Sequence, residues 1–157
     1  MTEPRIRMPR VAGAAYQALE EVEQTLRKID TLDHKLRELV KIRASQINQC
    51  SVCLDVHIRE ILTLGEGPER IFQLDVWRES PYFTEPERAA LGLTEAITRL
   101  GEDGVSDEVW AEAEKHYDAE ELGNLVMTIS LINAFNRISV AAKQRPRVRK
   151  YFDAPSS

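Results

Sequence analysis

The sequence predicts an all-α protein, a single helical bundle of about six to seven helices. Three observations predict it. No run alternates apolar and polar residues with the enrichment in valine, isoleucine, threonine and aromatic residues that marks a strand. Apolar residues recur instead at intervals of three and four, as on one face of a helix. Only seven glycines and seven prolines interrupt the 157 residues, and they fall at plausible helix boundaries.

The first three predicted helices cover residues 9–29, 33–47 and 48–65. Asp33 begins the second of them. Asn48 is a favourable N-cap residue, so it is expected to begin the third helix, and Gly65 ends that helix. Because the connection around Asn48 is tight, the second and third helices are expected to pack together as a hairpin.

The remaining helices follow at residues 69–75, 84–100, 106–116 and 118–140. Ser106 is a favourable N-cap residue. Thr84 and Asp118 each precede a glutamate by three residues, which is the capping-box pattern. The last helix is apolar over a wide face. This predicts a central position in the core or at a subunit contact.

Length and composition predict one domain over residues 1–157, with loose tails at 1–8 and 145–157. The net charge is −5, which argues against nucleic acid as the main partner. No apolar run approaches the roughly 20 residues that a membrane span needs. The first residues lack the apolar core of a secretory signal. We therefore expect a cytoplasmic protein, where a pair of cysteines three residues apart is more often catalytic or metal-binding than structural.

The two cysteines of the chain lie in the segment SQINQCSVCLDVH, residues 45–57. On a helix, Cys50, Cys53 and His57 share one face over about two turns. If Asn48 is the N-cap, Cys50 lies in the first turn, where free N–H groups and the helix dipole favour a thiolate. A thiol of low pKa beside a second thiol and a base is typical of a redox dithiol.

Three other interpretations of this segment stay open. A zinc site needs four ligands, which Glu38 or His34 would have to complete. A structural disulfide would close only a very short loop. The cysteines could also be two small buried residues beside a surface histidine. Glu38 is either a solvated residue between Arg37 and Lys41 or a partner of His57 across the hairpin, where a carboxylate would orient the imidazole. No glycine-rich phosphate loop indicates a nucleotide cofactor.

The segment ELVKIRASQINQCSVCLDVH resembles the alkylhydroperoxidase D-like branch of the carboxymuconolactone decarboxylase superfamily. That pattern is a glutamate, eleven residues, CxxC, three residues and a histidine, which here are Glu38, Cys50, Cys53 and His57. The segments WRESPYFTEPERAALGLTEAIT and LINAFNRISVA are similar to later parts of the same family, so the resemblance extends over most of the chain.

The resemblance implies an all-α fold and a homo-oligomer (a trimer or a trimer-based hexamer). We expect no cofactor, because no phosphate loop is present, and no metal, because ligands are too few. The resemblance also implies a thiol-dependent peroxidase or disulfide reductase that takes a hydroperoxide or disulfide and a protein or low-molecular-weight thiol reductant. Cys53 would attack the peroxide. Cys50, nearer the helix start and more exposed, would resolve the product and meet the reductant. Glu38 and His57 would form a proton relay.

One residue departs from the family pattern. Val52 stands where the best-described members have a second histidine, directly before the second cysteine. This difference bears on the rate of a peroxidase cycle. Two alternatives therefore accompany the peroxidase interpretation: a redox-sensing or interaction module without fast turnover, and a decarboxylase-type enzyme of the same superfamily.

Overall fold

The computed structural model describes residues 3–152 and confirms the all-α class. No β-strand occurs in this part of the chain. The α-helices and one 3₁₀ turn follow in the order α1 Met8–Val11, α2 Gly13–Arg27, α3 His34–Ile47, α4 Ser51–Thr63, α5 Pro68–Gln73, the 3₁₀ turn Leu74–Val76, α6 Glu85–Arg99, α7 Asp107–Glu114 and α8 Ala119–Ala141.

The predicted first helix is two helices in the structure. Ala12 leaves the helical conformation, with φ −123° and ψ 37°, and separates α1 from α2. Gly13 follows directly, and glycine loses more conformational freedom in a helix than any other residue. This break explains why the described residues contain eight α-helices where the sequence predicted about six to seven.

Three of the predicted helix starts are confirmed at the level of individual hydrogen bonds. The side chain of Ser106 accepts from the backbone of α7. Thr84 and Asp118 form full capping boxes at the starts of α6 and α8. Each cap satisfies backbone N–H groups that have no partner inside the helix.

Asn48 is not the N-cap of α4, and this prediction is wrong. It is the C-cap of α3, Gln49 follows in the left-handed region with φ 55°, and Cys50 is the N-cap of α4. The Asn48 side chain is engaged elsewhere: its amide nitrogen donates to Asn133 and Asn136 on α8. Asn48 therefore bonds to a distant helix instead of capping α4.

Helix α3 lies at the centre of the bundle and packs against α4, α6 and α8. Its ten consecutive residues from 36 to 45 are buried. One apolar cluster joins α3 to α6 and α8 and includes Leu36, Val40, Leu93, Leu125 and Ile129. A second cluster joins α3 to α4, α6 and the 3₁₀ turn and includes Leu39, Ile42, Ile61, Leu74 and Leu91. The two apolar clusters thus pack against different faces of the same stretch of α3.

A buried ion cluster also joins α3 to α6. The Arg43 guanidinium lies 2.8 Å from Glu95 Oε1, and Trp77 Nε1 donates to the same oxygen at 2.9 Å. Burial alone would raise the pKa of Glu95, but hydrogen bonds from Trp77, Arg78 and Arg43 outweigh it and lower the pKa to about 2. Glu95 is therefore a charged link between helices.

The ends of the described chain contact the bundle. The backbone N–H of Arg5 donates to the carbonyl of Ala142 at 2.9 Å. Near the other end, Arg149 Nη2 lies 3.1 Å from Asp55 Oδ2 on α4. Of the predicted loose tails, residues 1–2 and 153–157 lie outside the described part. No helix within residues 3–152 combines the length and apolar character that crossing a membrane requires.

Candidate active site

The turn between α3 and α4 positions the two cysteines. Gln49 adopts a left-handed conformation, which is unfavourable for a residue with a side chain. A partly buried network of amide side chains holds the turn from the other side. Asn48 Nδ2 donates to Asn133 Oδ1 at 2.8 Å and to Asn136 Oδ1 at 2.9 Å, and Asn136 Nδ2 donates to Ser45 Oγ at 3.0 Å. These bonds fix where α4 begins.

Cys50 and Cys53 form a disulfide, with their Cα atoms 5.4 Å apart. Cys50 is the N-cap of α4, so Cys53 is its third helical residue. Both sulfurs therefore belong to the first turn, where the free N–H groups favour a thiolate.

The expectation that Cys50 is the more exposed cysteine is wrong. Cys50 is 1% exposed and Cys53 is 6% exposed. Cys50 packs beneath the turn in a cluster with Ala44 and Ile132. The reason is the shifted helix start: as the N-cap, Cys50 turns its side chain towards α3 and α8 rather than outwards.

Cys53 opens on a cavity of about 460 Å³ between α2, α4 and α8. The apolar part of its wall consists of Tyr16, Val52, Val56, Ile132 and Phe135. Tyr16 and Phe135 meet edge to face at 5.9 Å between ring centroids. The polar part consists of Glu20, Glu23, Gln24, Arg27, His57, Ser139 and Gln144. The cavity thus presents an apolar surface and a base to the same sulfur.

His57 and Glu38 form the pair that the sequence allowed. His57 Nδ1 lies 2.7 Å from Glu38 Oε2, and Glu38 is only 4% exposed. The alternative of a solvated Glu38 is therefore wrong. A carboxylate only accepts hydrogen bonds, so Nδ1 carries the hydrogen and Nε2 is the nitrogen free to act as a base. His57 lies one helical turn after Cys53 and lines the same cavity.

Glu38 is held as a carboxylate. Burial raises its pKa, but the hydrogen bond and charge of His57, together with Lys41, outweigh that effect and lower the pKa from 4.5 to about 2. An ionised carboxylate behind the imidazole stabilises the protonated ring. The pair can thus take a proton from a thiol and hold it.

Lys41 contacts this pair and Glu23 contacts Lys41, and the sequence interpretation missed both. Lys41 Nζ lies 3.0 Å from Glu38 Oε1 and 2.5 Å from Glu23 Oε1 on α2. In the sequence, a lysine at this position indicates a solvated helix face, whereas Lys41 is 2% exposed in the structure. Its position three residues after Glu38, inside an apolar run, was the available indication.

The donors proposed for a zinc site are not brought together. Within residues 3–152, no group of three or more histidine, cysteine, aspartate or glutamate side chains is arranged to hold a metal ion. His34 lies 3.6 Å from Asp30 at the start of α3, and Glu38 is engaged with His57 and Lys41.

Comparisons with known proteins identify the family and the fold of the chain. Residues 13–96 match the model of the carboxymuconolactone decarboxylase family. The chain is 40% identical over 118 residues to the uncharacterised protein YdfG of Bacillus subtilis (strain 168), covering 75% of this chain and 80% of that protein.

Two solved structures share the fold. A protein of unknown function from Agrobacterium tumefaciens, described as a candidate antioxidant defence protein AhpD, superposes with a TM-score of 0.90 at 33% identity, over 94% of this chain and all of the other. An uncharacterised peroxidase-related protein with an alkylhydroperoxidase AhpD core, from Ralstonia eutropha JMP134, gives a TM-score of 0.76 over 86% of this chain and 72% of the other. At 18% identity that likeness concerns the fold alone. The chain therefore belongs to the carboxymuconolactone decarboxylase family and has the AhpD-like fold.

Proposed function

We propose that the protein is a thiol-dependent peroxidase that reduces organic hydroperoxides in antioxidant defence through its Cys50–Cys53 pair. One observation carries the proposal. Cys53 lies in the wall of a cavity together with His57, and Glu38 holds that histidine at 2.7 Å. A sulfur, a base and a partly apolar space for a substrate thus meet at one place. Disulfide reduction by the same pair of thiols is the accompanying activity.

In the first step, His57 takes the proton of the Cys53 thiol. The thiolate attacks one peroxide oxygen, so that an S–O bond forms and the O–O bond breaks. The imidazolium of His57 gives its proton to the departing alkoxide, which leaves as an alcohol. Cys53 is oxidised by two electrons to a sulfenic acid, and the peroxide is reduced by two electrons. Glu38 stabilises the imidazolium in between.

In the second step, Cys50 attacks the sulfur of the sulfenic acid. The disulfide forms, hydroxide leaves, and the proton of Cys50 converts it to water. Because Cys50 is buried and Cys53 faces the cavity, an external reductant meets Cys53 first. The reductant thiolate forms a mixed disulfide at Cys53 and releases Cys50. A second thiol of the reductant then restores the pair. This order replaces the expectation that Cys50 meets the reductant.

The proposal includes the setting in which the cycle runs. A single domain over residues 1–157 carries the site, and copies of the chain assemble as a trimer or a trimer-based hexamer. A protein or low-molecular-weight dithiol in the cytoplasm supplies the electrons, since that compartment keeps thiols reduced.

The experiment follows consumption of cumene hydroperoxide with dithiothreitol as reductant. With dithiothreitol present, the wild type should turn over and Cys53→Ser should be inactive. Without dithiothreitol, which would itself reduce a sulfenic acid, Cys50→Ser should consume one equivalent of peroxide and stop as a sulfenic acid on Cys53, identified by mass spectrometry. Ser51→Ala is the matched control, since it changes a hydroxyl on the same helix turn. Full peroxide turnover in the double cysteine variant would refute the proposal. Activity on a lactone-acid substrate that survives in that variant but is lost in His57→Ala would indicate decarboxylase-type chemistry instead.

A second candidate function is a redox-sensing module. It is favoured by Val52, an apolar residue in the cavity wall beside Cys53, where the resembled family has a second histidine. With one base at the site, the thiols could react once and then hold the oxidised state. A stoichiometric reaction with cumene hydroperoxide, no sustained turnover, and an oxidation-dependent change of oligomeric state would support the sensor and count against the peroxidase.

A further inference from the structure

Four ionisable side chains form a continuous series of contacts that begins at the cavity beside Cys53. His57 Nδ1 lies 2.7 Å from Glu38 Oε2, Glu38 Oε1 lies 3.0 Å from Lys41 Nζ, and the same nitrogen lies 2.5 Å from Glu23 Oε1. The four residues come from three helices, since Glu23 belongs to α2, Glu38 and Lys41 to α3, and His57 to α4. The last of the four side chains, Glu23, lines the polar side of the same cavity, so the series of contacts begins and ends there.

The two oxygens of Glu38 have different partners. Oε2 faces His57, and Oε1 faces Lys41. A carboxylate held at both oxygens has one orientation, whereas a carboxylate held at one oxygen can rotate. Lys41 is 2% exposed, and a buried ammonium is stable only when it is paired. Glu38 and Glu23 together supply that pairing.

We infer that Lys41 is a positioning residue for the proposed thiol chemistry: with Glu23, it aims Glu38 at His57 and sets the pH range over which Cys53 reacts. This inference rests on the proposed function for its biological meaning. The quantity that tests it is the reactivity of the Cys53 thiol, which can be measured without peroxide turnover.

The positive charge of Lys41 determines the direction in which its removal shifts the pH range of Cys53 reactivity. Lys41 places a buried positive charge behind Glu38, which favours the deprotonated forms of nearby groups. Removing that charge leaves Glu23 and Glu38 as two uncompensated carboxylates, so we expect the Cys53 thiol to react only at higher pH. Removing the charge of Glu23 has the opposite effect, because Lys41 then acts on Glu38 and the thiol unopposed.

Other charged groups near Lys41 have partners of their own. A second cavity, of about 230 Å³, lies on the far side of Glu38 and is lined by Arg27, His34, Arg37, Glu38, Lys41, Glu60 and Leu64. Arg27 pairs with Glu23 at 3.2 Å and with Glu60 at 3.4 Å. Arg37 donates to the backbone carbonyls of Leu26 and Arg27. Lys41 is thus the cation that directly contacts Glu38.

The test measures alkylation of Cys53 by iodoacetamide in a Cys50→Ser background, where one thiol remains. The rate is recorded between about pH 5 and about pH 9, the range in which thiols and imidazoles titrate. Lys41→Met should move the midpoint upward by about one pH unit. Glu23→Gln should move it downward by about half a unit. Lys41→Arg restores the charge and should return the midpoint towards the parent value.

The matched control is Lys115→Met, which removes an exposed lysine from an i,i+3 pair with Glu112 on α7. It should leave the midpoint unchanged. If Lys41→Met does not fold, as judged by circular dichroism, Glu23→Gln at the cavity rim decides the question alone. Unmoved midpoints, or shifts of the same sign in both variants, overturn the inference. Because iodoacetamide replaces the peroxide, absence of peroxide turnover would refute the proposed function while leaving this result intact.

Discussion

The pair of Glu38 and His57 makes a quantitative prediction for the substitution Glu38→Gln. Glutamine has nearly the shape of the protonated carboxyl group, so it removes the charge and keeps the volume. The surroundings lower the pKa of Glu38 from 4.5 to about 2. At 1.36 kcal/mol per unit, this corresponds to about 3 kcal/mol in favour of the charged form. Glu38→Gln should therefore lower the free energy of unfolding by about 3 kcal/mol at neutral pH.

The same shift predicts how that loss depends on pH. The folded-state pKa is depressed, so the stabilisation is fully present above the unfolded-state value of 4.5 and is lost as the pH falls towards about 2. The wild type loses this contribution on acidification, whereas the glutamine variant has none to lose. The difference between them should shrink from about 3 kcal/mol at neutral pH to about 1.5 kcal/mol near pH 3.

Urea unfolding followed by circular dichroism measures both quantities at equal protein concentration. Glu102→Gln, in the exposed turn after α6, is the control and should change stability by less than about 0.5 kcal/mol. A Glu38→Gln loss that is the same at neutral pH and near pH 3 would show that packing, rather than charge, explains the effect. No loss at either pH would refute the ion pair itself.

Three further predictions concern the turn, the core and the cavity. Asn136→Ala should lower the free energy of unfolding by about 1–3 kcal/mol in urea, because it removes a buried amide and leaves the partly buried amide of Asn48 without one acceptor; an unchanged midpoint would contradict this. Leu125→Ala should cost about 2–5 kcal/mol in the same assay, since Leu125 is fully buried and truncation leaves a cavity. A smaller loss would mean that neighbouring side chains move to fill the space that the Leu125 side chain leaves. Val52→His should raise the rate of cumene hydroperoxide consumption at least about tenfold by adding a second base beside Cys53. An unchanged rate would show that residue 52 does not limit the cycle.

Local patterns in the sequence were enough to predict most of the fold. The caps at Thr84, Ser106 and Asp118 depend on residues within one helix turn, so the sequence contains all the partners. The charged residues of α3 were a different case. Arg43 is buried because Glu95, 52 residues later, pairs with it, and no short window contains both. A short stretch of sequence around Arg43 therefore does not indicate that this residue is buried.

The candidate site shows the same division between local and distant partners. The approach of Glu38 to His57 followed from the expected α3–α4 hairpin, which is a local feature. The contact between Lys41 and Glu23 did not follow from the hairpin, because Glu23 belongs to α2 and lies 18 residues before Lys41 in the sequence. The sequence interpretation thus identified Glu38 and His57 on the hairpin, and missed both Lys41 on the same hairpin and Glu23, which α2 brings to it.

The start of α4 shows how a small error in a boundary alters a chemical conclusion. Placing the N-cap at Asn48 rather than Cys50 shifts the helix start by two residues. With the earlier start, Cys50 would be the thiol in the first turn and near solvent. With the observed start, Cys50 turns inward beneath the N-terminus, and Cys53 is the sulfur that combines the helix N–H groups, the cavity and the base. The distant partners of Asn48 on α8 hold the turn in this conformation, and the cysteine that faces the cavity is consequently Cys53 rather than Cys50.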